Sequence, residues 1–246
     1  MACRNTIALR AYVRLLHGYS ANELQVSRKS VEYSYNRRVV RCPPEGAGSF
    51  LEVFKNGVYD TAFSPRPGDV CVDVGAYVGM WSVRAALAVG DSGRVIAIEP
   101  DAGSTRWLLE NVKGLHVTVL PWIASDKDGT ESLSLAHSPA SRSTMLRRRR
   151  STVLPCRTLD TILRYLRQNR VDFIKLDAEG AEMKVLLGAG ETLRGNPGLR
   201  LVVASYRDLP GTVPGADEIA SYLWSLGYAV HIREGLRRYV HAEKIS

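Results

Sequence analysis

From residue 67 onward the chain alternates two apolar patterns. Short runs dense in β-branched residues, Asp69–Val74, Arg94–Ile98, His116–Leu120, Val171–Leu176 and Leu199–Ser205, read as buried strands. Between them, apolar residues recur at helical spacing over Ala76–Val89, which ends at Gly90, over Thr105–Lys113, from Ala181 onward, and over Ala216–Leu226, which ends at Gly227. Thr152–Leu159 reads as a further strand. Asp160 then reads as the N-cap of a helix over Thr161–Gln168, because its carboxylate can accept from first-turn amides. Tyr228–Arg233 and Arg237–His241 flank a Glu-Gly turn and predict an antiparallel hairpin. This alternation predicts an α/β domain: a mostly parallel sheet with helices on both faces and a C-terminal antiparallel hairpin.

The N-terminal part is different. Ile7–Leu16 has helical spacing, and Cys42-Pro43-Pro44 breaks any regular element, so residues 1–45 read as an accessory segment and 46–246 as the main domain. Phe50–Phe54, Asn56-Gly57 and Val58-Tyr59 read as a hairpin, since Asn-Gly supplies the positive φ angles of a tight turn. Ser138–Arg150, rich in Ser, Pro and Arg, reads as a mobile loop. Trp81, Trp107 and Trp224 have helical neighbours and read as core.

Length and composition narrow the class. The chain has 246 residues, enough for one large α/β domain, and 45% hydrophobic residues, which excludes a disordered or collagen-like chain. Apolar runs are too short to span a bilayer. Arg4, Arg10 and Arg14 interrupt the apolar positions of the first 25 residues, unlike a signal peptide, and this points to a cytoplasmic protein. Four scattered cysteines without C-x-x-C spacing read as reduced thiols, and five scattered histidines offer no metal spacing. The net charge of +8 comes from 26 Arg and 7 Lys against 25 acids; it permits a nucleic-acid partner without selecting one.

Three segments carry chemistry. Val72-Asp-Val-Gly75-Ala76-Tyr-Val-Gly79 leaves a strand and opens a helix. A dinucleotide fold would place glycine where Asp73 stands, to bring amides to a pyrophosphate. A carboxylate there suits a ligand with a cationic end instead. Glu99 ends the next strand, 20 residues after Gly79, where an acid can accept both hydroxyls of a ribose. A glycine loop with a ribose acid and no provision for phosphate describes S-adenosylmethionine. The third segment, Asp172-Phe-Ile-Lys175-Leu-Asp177-Ala-Glu179-Gly180-Ala-Glu182, puts acids at the carboxyl end of a strand, where ligands bind in open α/β sheets. Glu182 fits helix capping, Glu179 fits it partly, and Asp177 precedes the turn and fits it poorly.

Together with Ile98-Glu-Pro and Thr158-Leu-Asp, these segments resemble the FkbM-type methyltransferases, from about residue 50 to about residue 205. The resemblance implies a class I methyltransferase fold with a seven-stranded sheet, S-adenosylmethionine as methyl donor and methylation of a hydroxyl. It implies that Asp73, Gly75, Ala76 and Gly79 form the cofactor loop, that Glu99 holds the ribose, that Ser125 and Asp126 flank the adenine, and that Asp177 and Glu179 face the reacting end. Many members carry an acid after the fifth strand, where this chain reads Ala204-Ser-Tyr-Arg207. No metal is assigned. Asp177 is the candidate to orient the acceptor or take its proton, with Glu179 second. The expected acceptor is a small molecule or saccharide. The run Arg147–Arg150 is read as lying in a lid that recognises an anionic group on it. An RNA methyltransferase is the rival on the same fold, and a nicotinamide-dependent oxidoreductase the rival in another class.

Overall fold

The computed structural model describes residues 23–134, 151–205, 215–235 and 237–245. The segments expected as an N-terminal helix and as an arginine-bearing lid lie outside them. The centre is a seven-stranded sheet in the order β12-β13-β11-β10-β4-β5-β6. Its strands are β4 (Val70–Val74), β5 (Arg94–Ile98), β6 (Val117–Leu120), β10 (Phe173–Leu176), β11 (Arg200–Ser205), β12 (Tyr228–Arg233) and β13 (Arg238–Lys244). β4, β5, β6, β10 and β11 run parallel, and β13 pairs antiparallel with both β11 and β12. The expected sheet and C-terminal hairpin are therefore present.

Period-two alternation splits the sheet's side chains between two apolar layers. Cys71, Val95, Ala97, Phe173 and Val202 face one layer with helix α2 (Met80–Val89) and Leu108 of α3 (Ala102–Asn111). Val72, Val74, Ile96, Ile98, Ile174 and Leu176 face the other, against α4 (Leu159–Tyr165), α5 (Glu182–Leu187), α6 (Gly190–Gly195) and α7 (Ala216–Ser225). A second sheet, β7-β9-β8, joins Ile123–Ala124, Ser151–Arg157 and Gly129–Ser134. A third, β1-β2-β3, is a meander of Leu24–Val26, Val31–Tyr35 and Arg38–Cys42. Its Val31, Tyr33 and Val40 are buried in the same apolar layer as α2. Asn111 ties the meander to the domain: its Oδ1 accepts from Arg41 N at 2.8 Å, and its Nδ2 donates to Arg41 O and to Val78 O, each at 2.7 Å.

Three expectations are corrected. Residues 50–59 do not form a hairpin. Pro44–Gly46 begins a helical stretch that continues through α1 (Gly48–Phe50) and a π turn over Leu51–Lys55. Phe50, Val53 and Phe54 follow helical spacing, and both phenylalanines pack on Tyr33, at 5.6 and 5.1 Å between ring centres. Asn56-Gly57 closes this helix rather than a hairpin: Gly57 has φ +54°, and Val58 N donates to Glu52 O. Asp160 does not cap its own helix. Thr158 does, accepting from Thr161 N, while Asp160 accepts from Glu191 N and Thr192 N and so caps α6. Trp224 is 75% exposed, because one residue beyond the buried Leu223 is a 100° turn away from the apolar face of α7.

Cys42, Cys71 and Cys156 are buried free thiols. Among the described residues, no helix is long and apolar enough to cross a membrane, and no group of three or more His, Cys, Asp or Glu could hold a metal ion.

Candidate active site

Register brings the chemistry together. Val74 is paired with Ile98 on one side and with Leu176 on the other, so the next residues, Gly75, Glu99 and Asp177, leave the sheet along one edge. The strand order turns outward in both directions from β4 and β10, and ligands bind at such a switch point. A cleft of about 310 Å³ lies there, within the range of small-molecule sites. Gly75, Ala76, Ile98, Glu99, Asp177 and Glu179 are among the residues lining it.

Gly75 has φ +72°, and a Cβ there would lie 1.9 Å from Asp177 O. Only glycine lets the β4 loop cross the end of β10 so closely. Tyr77 and Glu179 also adopt positive φ, at +52° and +50°, and both line the cleft. Such strain in non-glycine residues collects at ligand sites.

Glu99 is 8% exposed. Its Oε2 accepts from Tyr77 N at 2.8 Å and its Oε1 from Asp101 N at 2.9 Å. Burial pushes its carboxyl up to about 7, against the downward pull of those two amides. A carboxylate has about four acceptor positions and the amides use two, so each oxygen can still take a hydroxyl proton.

On β4 the cleft lining begins at Val74, one residue after Asp73. Asp73 is wholly buried and outside the cleft lining. Lys175, directly opposite it in the ladder, places Nζ 2.9 Å from its Oδ1, and Ser82 donates to its Oδ2 at 2.6 Å. The same ammonium donates to Gly75 O at 2.7 Å. Asp73 thus secures the lysine that secures the loop. Gly79 also stands outside the lining; a Cβ there would meet Leu108 Cδ1 at 2.4 Å, so it permits the packing of α2 on α3. Ser125 is buried behind the wall, donating to Glu131 at 2.9 Å, and Asp126 is exposed outside it. Trp122, Ile123 and Ala124 line the cleft on that side instead.

At the other end, Tyr59 donates to Asp177 Oδ2 at 2.6 Å, and Arg237 Nη1 lies 3.6 Å from the same oxygen and 4.0 Å from Glu52 Oε2. Burial pushes the Tyr59 phenol well up, with the Asp177 charge adding to it. Burial likewise raises Glu52, with Arg237 opposing. Glu182 accepts from Ala178 N and Gly180 N at 3.0 Å and so holds the 178–181 turn, as its capping reading expected.

Glu52, Tyr59, Lys175 and Arg237 were not among the sequence candidates for this site. Lys175 had a signal, a charge inside an apolar strand whose ladder partner is also charged. The other three reach the cleft from a misread helix, the loop after it and a distant hairpin.

Among the described residues, six acids line the cleft (Glu52, Glu99, Asp101, Glu131, Asp177, Glu179) against two cations (Lys175, Arg237). Such a lining favours a cationic ligand. With the hydroxyl acceptors of Glu99, it fits a sulfonium nucleoside and not a pyrophosphate.

Comparison with known proteins bears on this arrangement. The family model "Methyltransferase FkbM domain" matches residues 73–230. A search of curated proteins found no significant match. Among solved structures, a SAM-dependent methyltransferase from Aquifex aeolicus aligns at TM-score 0.51 and 22% identity, over 80% of this chain and 93% of that one. A fibrillarin from Aeropyrum pernix, in complex with S-adenosylmethionine, aligns at TM-score 0.45 and 14% identity, over 89% of this chain and 84% of that one.

Proposed function

Because the chain belongs to the FkbM methyltransferase family, we propose that it methylates a hydroxyl on a small molecule or saccharide, with Asp177 at the reacting end. S-Adenosylmethionine is the methyl donor; bound in the cleft, it supplies an electrophilic methyl group. The observation that carries the reading is the register that sets Glu99 and Asp177 on one sheet edge, at two ends of one acid-lined cleft.

In this reading each residue has a separate task. Glu99 accepts the ribose hydroxyls. Gly75 and Ala76, at the end of β4, line the cleft with little side chain and leave backbone for the cofactor to approach. Asp177 orients the acceptor hydroxyl and takes its proton, and Glu179 stands beside it. Fixing distance and angle can supply ~7–11 kcal/mol of a displacement barrier. Asp73, Gly79 and Ser125 support the wall from behind. The acids at the reacting end favour a neutral, hydroxyl-bearing acceptor over an anionic one.

Mass spectrometry of material copurified with the protein identifies the cofactor; a mass of neither S-adenosylmethionine nor its demethylated product, with calorimetry showing no binding of either, would overturn the reading. Asp177→Asn keeps the shape and removes the basicity. Single-turnover transfer from radiolabelled donor should slow by roughly 10²–10⁴-fold, the range for a lost acid–base group. Retention of near-wild-type rates would make Asp177 structural.

A further inference from the structure

We propose that Tyr59 is a positioning residue for this reaction, acting through Asp177; the inference rests on the functional reading above. Tyr59 lies outside residues 73–230, the part of the chain that the family model matches. It follows the Pro44–Lys55 helical stretch, and its hydroxyl reaches Asp177 Oδ2 at 2.6 Å, across 118 residues of sequence. Tyr59 is 4% exposed and lines the cleft. Its ring is fixed on two sides. Tyr239 of β13 meets it edge-on at 5.6 Å, and Lys175 Nζ stands 5.3 Å from its centre.

The chemistry of the contact sets its direction. Burial and the Asp177 charge keep the phenol protonated, so it donates and the carboxylate accepts. A short bond from a neutral donor to an ionised acceptor is among the stronger hydrogen bonds and is directional. It fixes the rotation of the carboxylate about its χ2 torsion, which is otherwise broad for aspartate. Lys175 connects this arrangement to the glycine loop, because the ammonium above the Tyr59 ring is the one that donates to Gly75 O. The phenol, the acid and the loop are thereby held in one frame. A misplacement of about 1 Å at such a site can cost on the order of 10²-fold in rate.

The test needs no acceptor. Sinefungin carries an amine where S-adenosylmethionine carries its methyl group, so its affinity relative to S-adenosylhomocysteine reports the carboxylate at the methyl position. Calorimetry with both ligands on wild type, Tyr59→Phe, Asp177→Asn and the double variant gives a complete cycle. Wild type should favour sinefungin at least about tenfold, the scale of one charge-assisted hydrogen bond. Tyr59→Phe should keep its S-adenosylhomocysteine affinity within about twofold and lose about three- to tenfold of the sinefungin preference. Asp177→Asn should abolish the preference, and adding Tyr59→Phe to it should change nothing further. A loss of S-adenosylhomocysteine affinity from Tyr59→Phe in both the wild-type and the Asp177→Asn backgrounds would show a general packing role and overturn the proposal, as would an undiminished preference in Tyr59→Phe alone. Wild type that binds S-adenosylhomocysteine but does not favour sinefungin would instead overturn the placement of Asp177. A second readout uses the wild-type fold: the shared proton should give a downfield exchangeable resonance in the ¹H NMR spectrum that is absent from Asp177→Asn. Its absence from wild type overturns the contact even if Tyr59→Phe fails to fold.

Discussion

At position 75 a single methyl group decides whether the site exists. A Cβ would sit 1.9 Å from the Asp177 carbonyl oxygen, and φ of +72° already disfavours any L side chain. Gly75→Ala should therefore cost about 2–5 kcal/mol from strain and overpacking together, read by urea denaturation. It should also abolish cofactor binding in calorimetry, because the loop must lift from β10. A variant that folds and binds like wild type would mean that the crossing is looser than described. Glu99 makes a second prediction at this scale. Its carboxyl is raised to about 7, and only its ionised form offers both oxygens as acceptors. Affinity for S-adenosylmethionine should thus fall as pH drops through 7, by about tenfold between pH 8 and pH 6, since one pH unit below a pKa leaves roughly a tenth of the group ionised. Glu99→Gln should bind more weakly and lose that dependence. A flat wild-type profile would remove Glu99 from the ribose.

Among the elements, β4 and β10 are joined by more than their ladder. Asp73 and Lys175 are opposite residues, both buried, and the pair is shielded on the α2 side by Ser82. Lys175→Met would leave a buried carboxylate without its cation, which costs about 3–5 kcal/mol. Lys175→Met with Asp73→Asn removes both charges, and urea denaturation should show at least half of the loss recovered. Equal instability of single and double variants would show that the lysine acts through Gly75 O rather than through Asp73. Sequence patterning made this region legible: continuous apolar runs identify buried parallel strands, and the acids just beyond β5 and β10 mark the ligand edge. Helical and strand spacing are harder to separate over ten residues, as Phe50 to Tyr59 shows, where Asn-Gly serves equally as a hairpin turn or a helix stop. The helix was favoured by packing on Tyr33, a tertiary contact with no local trace. The same holds for the site. Gly75, Glu99 and Asp177 lie in local motifs, whereas Tyr59 and Arg237 arrive through topology. Asp73 lies in the same local motif as Gly75, but its ladder place opposite Lys175 puts it in a buried ion pair outside the cleft lining.

Over the whole molecule the chain carries +8, while among the described residues the cleft is lined by six acids and two cations. Burial of acids has a consequence for stability. Glu182 is 1% exposed, and burial raises its carboxyl from 4.5 to about 7, against the amides of Gly180 and Ala178. Between those values the unfolded chain has released the proton and the folded protein still holds it. The contribution of Glu182 is therefore fully present below about pH 4.5 and is lost as pH rises toward 7. His241 works in the opposite sense. Burial lowers it from 6.5 to about 4, so it gains a proton on unfolding in that window and its contribution rises with pH. The wild-type profile mixes the two, and Glu99 adds to the first. The difference between Glu182→Gln and wild type cancels every group except Glu182 itself. Glutamine keeps one oxygen for the amides of Ala178 and Gly180, which Glu182 Oε1 alone can serve at 3.0 Å, but it never ionises. At pH 4.5 the variant should be less stable than wild type. By pH 7.5 that deficit should shrink by roughly 3 kcal/mol, the free energy of a proton held at a pKa raised from 4.5 to about 7. Urea denaturation at the two pH values measures it. A deficit that stays constant, or grows with pH, would mean that Glu182 is ionised in the folded protein throughout and that its amide bonds outweigh its burial.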